Sequence, residues 1–426
     1  MFKGLKQIFS ARNKDIRKKI LFTLLILFIY KVGTAVRVPG TENITQDLGF
    51  LELLNVMGGG SLKNFSIFAL GVTPYISASI IIQLLQMDII PYFSNLAKEG
   101  HTGRVKLNKI TRYLGIVFAF LQGLVMSFSF LGGNASAVEY LRVSLILTAG
   151  TCFLLWLGDQ ITSKGVGNGI SMLIMAGILI STPSMMADAF GSFVVSGSVQ
   201  EVALGVTKFI LFILVYLAII VGVVFIEKSE RRIPIQYSNK TTSAYGAKQA
   251  YIPFKLNSAG VMPVIFASSL ISIPAFIASF IKNDSFSLFI NKYISYNTVT
   301  GFILYILLII LFTFLYTFMA SGLRPKELAE NLNKQGGYIP GVRPGNETKG
   351  YISKILSRTT FIGALFLIVI AGLPILVSNI STLPTSVTVG GTGLLIVVGV
   401  ALETYSQIES AISAKQYERS YYRKWR

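Results

Sequence analysis

The chain has 426 residues and carries 38 Lys and Arg against 19 Asp and Glu, a formal net charge of +19. Hydrophobic residues make up 52% and charged residues only 13%, with a mean hydropathy of +0.63, so too much apolar surface is present for water to be the solvent. That balance excludes a soluble enzyme, a disordered protein and a disulfide scaffold, and with Cys152 and His101 as the only Cys and His, a Cys/His metal site is excluded too; no metal or cofactor is expected.

Ten apolar segments approach the roughly 20 residues that cross a bilayer. They cover about 18–37, 73–93, 109–132, 138–158, 168–187, 203–226, 254–281, 299–321, 357–379 and 390–411. All read as helices, because open strands would leave backbone groups unpaired in lipid, and the runs are continuous rather than alternating. The fold class is therefore an all-α integral membrane protein with ten transmembrane helices. The first segment follows Lys14, Arg17, Lys18 and Lys19 like a signal peptide, but it lacks a small-residue cleavage site and Arg37 follows closely, so it is expected to be retained.

An even number of spans puts both termini on one side. If that side is the cytoplasm, it holds 31 Lys and Arg and the outer side holds 7, a strong positive-inside asymmetry that sets the orientation.

Between spans one and two, residues 47–57 are apolar but too short to cross, and Gly58, Gly59 and Gly60 follow. Two readings stand: a helix lying on the outer leaflet, or a re-entrant segment folded into a central cavity. Span two opens with Thr73 and Pro74, a capping residue and a proline suited to the first helical turn.

Gly71-Val-Thr-Pro-Tyr-Ile-Ser-Ala-Ser79 matches Gly260-Val-Met-Pro-Val-Ile-Phe-Ala-Ser268 at six of nine positions, with a constant offset of 189. One copy lies in span two and the other in span seven, so the two helices run in opposite directions. This is the signature of an inverted repeat with a functional path between its halves, here 1–190 and 191–426. Val72 and Ile76 fall on one helix face, and Val261 and Ile265 repeat the arrangement, so the path is lined by branched aliphatics. Ser77, Gln83 and Asn257 are polar neighbours suited to hydrogen bonds between helices.

Charged residues near the spans are few: Lys31, Asp159, Glu227 and Glu403, of which only Glu403 reads as embedded. No chain of acids crosses the membrane, and no Gly-Lys-Ser/Thr phosphate loop occurs. Gly165-Val-Gly-Asn-Gly169 follows an inner loop and no strand, so it is not a dinucleotide fingerprint. The chain carries no evident energy source. An ion-coupled transporter built on inverted repeats, the rival from a different class, calls for several mid-span ionisable residues.

Two inner loops, about 227–253 and 322–356, are long and basic. The first carries Arg231 and Arg232; the second carries Arg343 on a turn-rich tip between Pro-Gly steps. Guanidinium forks on loops this long suit phosphate or carboxylate partners. The tail ends in the basic, aromatic run 421–426.

Several of these segments together resemble the SecY family, the channel subunits of the bacterial protein translocase. They are Ala69-Leu-Gly-Val-Thr-Pro-Tyr-Ile-Ser-Ala-Ser-Ile-Ile-Ile-Gln83, Trp156-Leu-Gly-Asp-Gln-Ile-Thr162, Gly165-Val-Gly-Asn-Gly-Ile-Ser171, Ala259-Gly-Val-Met-Pro-Val-Ile-Phe-Ala-Ser268, Tyr338-Ile-Pro-Gly-Val-Arg-Pro-Gly345 and Gly390-Gly-Thr-Gly-Leu-Leu-Ile-Val397. The resemblance covers nearly the whole chain in order. It implies a pore whose waist is sealed by a ring of aliphatic side chains, here Val72, Ile76, Ile170, Ile174, Ile265 and Ile396. It also implies a plug near 47–66, including Glu52, Leu53, Leu54, Met57, Gly58, Gly59 and Gly60, which favours the cavity reading of that segment. A lateral gate is implied between spans two to three and seven to eight, with Ser77, Gln83 and Asn257 as its polar residues.

By the same resemblance, Arg231, Arg232 and Arg343 meet the SecA motor or the ribosome, and the small subunits SecE and SecG are partners. Signal peptides and unfolded preproteins are the cargo, and apolar segments leave sideways into membrane lipids. The expected function is a non-enzymatic protein-conducting channel of the general secretory pathway in the cell membrane, with both termini cytoplasmic. A specialised accessory channel of the same family is the nearer alternative.

Overall fold

The computed structural model describes residues 14–41, 52–86, 90–131, 135–194, 199–237, 250–281, 284–294, 298–319, 324–381 and 385–424. Each of the ten apolar segments lies over a helix. Seven of these helices are long and apolar enough to cross a membrane. In chain order those seven are α5 (His101–Leu131), α6 (Ala137–Lys164), α7 (Gly169–Phe193), α8 (Val199–Lys228), α11 (Val299–Met319), α13 (Asn346–Ser381) and α14 (Thr385–Lys424). The others over apolar segments are α1 (Lys14–Ala35), α3 (Thr73–Leu85) and α9 (Met262–Ile281). Lys18, Lys19 and Lys31 make α1 more charged than a plain span. Among the described residues there are also four short helices: α2 (Glu52–Met57), α4 (Pro91–Lys98), α10 (Asp284–Tyr293) and α12 (Pro325–Lys334).

Local chemistry explains the ends. Pro74, Pro91 and Pro325 sit in first turns, where the missing N–H costs no helical bond. Glu139 accepts the Ser136 backbone N–H at 3.0 Å, and the Asn168 side chain accepts the N–H groups of Ile170 and Ser171. Inside the spans, Thr and Ser hydroxyls bond back to carbonyls of their own helix, as at Thr313 and Thr317, so few polar groups meet lipid unpaired.

Two spans are shorter than the sequence predicts. The second ends at Leu85 rather than near residue 93. Pro91 forces Ile90 into an extended conformation (φ −121°, ψ 117°) and a separate helix starts there. The seventh starts at Met262 rather than 254, because 250–255 form a strand.

The all-helical expectation also misses a small antiparallel sheet of order β2-β1-β3, from β1 (Glu230–Tyr237), β2 (Ala250–Lys255) and β3 (Gly337–Tyr338). β1 pairs Arg231 with Phe254 and Ile233 with Ile252, and at its other end Gln236 with Tyr338. The sheet thus joins the two long basic loops into one unit. Ile233, Ile235, Phe254, Leu332, Ile339 and Leu356 form its core, which seats the unit on the start of α13.

Candidate functional site

The two copies of the repeated motif fold alike. Gly71 and Gly260 both adopt left-handed backbone, φ +57° and +62°, which a side chain would strain. The helix then starts at once: Ile76 N–H donates to the Val72 carbonyl at 3.1 Å, and Ile265 N–H donates to the Val261 carbonyl at 3.3 Å.

Val72, Ile76, Ile174, Ile265 and Ile396 are all buried in one apolar cluster, and the half-buried Ile170 packs against it. They come from four elements, α3, α7, α9 and α14, so residues far apart in sequence converge on one place. The cluster also takes in Val261, which the repeated motif had marked, and Val264 and Val400, which it had not. A narrow constriction lined only by aliphatic groups offers ions no hydrogen bonds and gates by dewetting.

On one side of this cluster lies α2. Met57 belongs to the cluster itself, and Val56 is buried beside it. A Cβ on Gly177 of α7 would overlap the Met57 carbonyl. The Ser181 hydroxyl donates to the Val56 carbonyl at 3.1 Å. The turn after α2 is held by Asn55, whose side chain accepts the Lys63 N–H at 2.9 Å while its carbonyl accepts the Gly60 N–H at 2.9 Å. The segment is therefore folded into the protein among α7 and α14 rather than laid along its surface. Residues 42–51 and the side chains of Glu52, Leu53 and Leu54 lie outside the described residues.

On the other side, towards the basic loops, opens a cavity of about 510 Å³. Val261 and Val400 of the aliphatic cluster line it, together with Asn168, Ser171, Tyr316 and the carboxylates Glu227, Glu230, Glu403 and Glu409, with Lys228 and Lys255 between them. Two of the charges near the spans, Glu227 and Glu403, are thus set at this vestibule. A third, Asp159, is paired with Arg112, and Lys31 is exposed.

Between α3 and the pair α9 and α11 runs a narrow apolar cleft of about 10 Å³, room for about one water. Ile80, Gln83 and Leu84 face Phe266, Phe312 and Tyr316 across it. The Phe266 ring meets Phe312 and Tyr316 edge-on at 5.8 and 6.3 Å. Only Gln83 of the three predicted polar gate residues lines this cleft. The expected hydrogen bonds between helices are not made by Ser77 or Gln83: Ser77 donates to Thr73 and Gln83 to Ser79, both within α3. Asn257 stands before α9 rather than in it, and its amide donates to Glu227 at 2.6 Å and to the Gly260 carbonyl at 3.0 Å. The aromatic wedge was missed because Phe312 and Tyr316, four residues apart, are lost in a run that is apolar all round.

Arg231, Arg232 and Arg343 are all exposed. Arg232 is engaged, with Glu230 at 2.7 Å and its guanidinium 4.8 Å above the Tyr251 ring. The hydrogen bond to Glu230 pushes its pKa above the ordinary value. Among the described residues no group of three His, Cys, Asp or Glu is placed to hold a metal ion.

Comparison with known proteins gives a consistent pattern. The SecY family model matches residues 66–405. The protein translocase subunit SecY of Staphylococcus aureus (strain NCTC 8325 / PS 47) is 46% identical over 420 residues, covering 96% of this chain and 97% of that protein. Its counterpart in Halalkalibacterium halodurans is 45% identical over 431 residues, covering 98% and 99%. Among solved structures, one described as a protein conducting channel aligns with a TM-score of 0.67 at 18% identity, covering 93% of this chain and 92% of that one. Sec61 in the canine ribosome-channel complex aligns with a TM-score of 0.64 at 18% identity over the same shares, a likeness of fold.

Proposed function

The chain belongs to the SecY family and is a multi-pass protein translocase subunit, a channel for polypeptide and not an enzyme; we propose that its path runs from the acidic vestibule through the waist of Val72, Ile76, Ile170, Ile174, Ile265 and Ile396. In this reading the segment from Glu52 to Gly60 plugs the far side of the waist at rest. The halves 1–190 and 191–426 part around it. The cleft lined by Gln83 and Phe266 is the exit for apolar segments, which partition into lipid when they carry about 20 apolar residues. Such a ring yields around any passing sequence without holding it, because it makes no specific bonds. The single observation that carries the reading is the convergence of five buried aliphatics from four helices between α2 and the vestibule.

The welded loop unit, with Arg231 and Arg343 exposed, is the docking face for an external energy source: the SecA motor or a ribosome. A ribosome partner is supported by the likeness to Sec61 of the ribosome-channel complex. SecE and SecG are proposed as companion subunits. The membrane is the cell membrane, with the basic loops and both termini in the cytoplasm, supported by the 31-to-7 split of Lys and Arg.

Photocrosslinking tests the path. A photoreactive residue at Ile76, Ile174 or Ile265 is expected to capture a secretory chain stalled midway through export. Export without capture from any of the three would place the path elsewhere.

A further inference from the structure

We propose that α10 (Asp284–Tyr293) is an interfacial helix, seated in the headgroup zone of the outer leaflet with Leu288 and Phe289 among the upper acyl carbons. Chain geometry confines it to the membrane surface. It joins α9, which ends at Ile281, to α11, which starts at Val299. The two residues before it reach about 10 Å at full extension, so it cannot stand away from the bilayer face where α9 emerges. At ten residues it is about 15 Å long and cannot cross.

Its two faces differ. Ile290 is 2% exposed and Ile294 packs on the central apolar cluster, which pins one face to the protein. The rest of its circumference leaves Leu288 68%, Phe289 51% and Tyr293 41% exposed. Large apolar side chains grouped this way on ten residues call for an apolar cover. Lipid is the cover the surroundings supply. Ile277, near the end of α9, and Val299, at the start of α11, are exposed apolar side chains too, on the two helices that α10 joins. Lys292 stands 5.5 Å from the centre of the Tyr293 ring, an ammonium and an aromatic paired as at a headgroup boundary. Lys292 shares the face of Leu288 and Phe289, so its long side chain must snorkel for the ammonium to reach phosphate.

The seat at the interface needs only that α9 and α11 span the membrane; the word "outer" rests on the orientation proposed above. The test uses the full chain with its co-purifying subunits, carrying Cys152→Ser and one of Leu288→Cys, Phe289→Cys or Lys292→Cys. Each variant is nitroxide-labelled and reconstituted in vesicles of phosphatidylethanolamine and phosphatidylglycerol. Labels at 288 and 289 are expected to be relaxed several-fold more by oxygen than by a water-soluble nickel chelate. Nickel access at 288 and 289 equal to that of a label at Arg343→Cys would make this face aqueous and overturn the proposal. Exclusion of both reagents would mean a protein cover, a subunit or a second copy, and would overturn it equally. Sidedness is read in intact cells with an impermeant maleimide on Lys292→Cys. Labelling is expected, and its absence would overturn the orientation and the leaflet while leaving the interfacial seat to the depth result.

Discussion

Met57 and Gly177 meet backbone to backbone: the Met57 carbonyl occupies the space a Cβ on Gly177 would take. The segment beneath the waist therefore rests on a helix face kept bare at one position, and any side chain there must lift it. Gly177→Val is expected to raise the resting ion leak of reconstituted vesicles several-fold while the chain still inserts. A resting conductance equal to wild type would remove this contact from the seal.

The Ser181 hydroxyl is a gentler probe of the same contact, since its proton is shared between the buried Val56 carbonyl at 3.1 Å and the Gly177 carbonyl of its own helix at 3.2 Å. Ser181→Ala leaves that carbonyl one bond poorer, at about 1 kcal/mol, and shifts the seated population about fivefold. Single-channel recordings should show brief openings about five times more often. An unchanged opening frequency would mean the bond is not what holds α2.

The waist itself is tested by Ile76→Ala combined with Ile265→Ala, which opens it from two helices at once. Ion leak should exceed the sum of the single variants, because each isoleucine closes the gap the other leaves. Additive effects would mean that the two side chains do not share a constriction.

Gly71 and Gly260 hold the two copies of the motif in the same left-handed turn. Gly71→Ala and Gly260→Ala should each destabilise the protein by about 1–2 kcal/mol, visible as lowered thermal midpoints in detergent. A neutral result at either position would break the equivalence of the copies.

At the loop unit, Arg343→Gln should slow motor-driven export and make it less sensitive to salt, with insertion of the channel unaffected. Arg232→Gln should do less, because that guanidinium is already committed to Glu230 and Tyr251. Export rates in inverted vesicles decide it; equal effects of the two changes would refute the assignment.

What was legible in the sequence followed from strong, local signals. Hydropathy placed each of its ten segments over a helix, seven of them long and apolar enough to cross a membrane, and the Gly-Val-x-Pro-x-Ile pattern pointed to Val72, Ile76, Val261 and Ile265, all of them buried. Ile174 and Ile396 came only with the family resemblance, because nothing local marks them among neighbours just as apolar. The sheet was missed for another reason. Ile233 and Ile235 alternate with polar residues as a strand should, but Pro234 separates them, and the partner Tyr338 lies 102 residues beyond Gln236, a pairing no local pattern encodes. The role given to Ser77 failed because a hydroxyl in a helix has a nearer acceptor one turn back. Spacing alone could not tell that bond from one to a neighbour.

The last helix, α14, runs for 40 residues, about 60 Å, without a break. Along that length it packs against α2, contributes Ile396 to the waist, lines the vestibule with Glu403, and leans Ile412 on Ile16 of α1. In the proposed passage, one continuous helix thus joins the plug segment, the waist and the vestibule, so a tilt of α14 would move all three together.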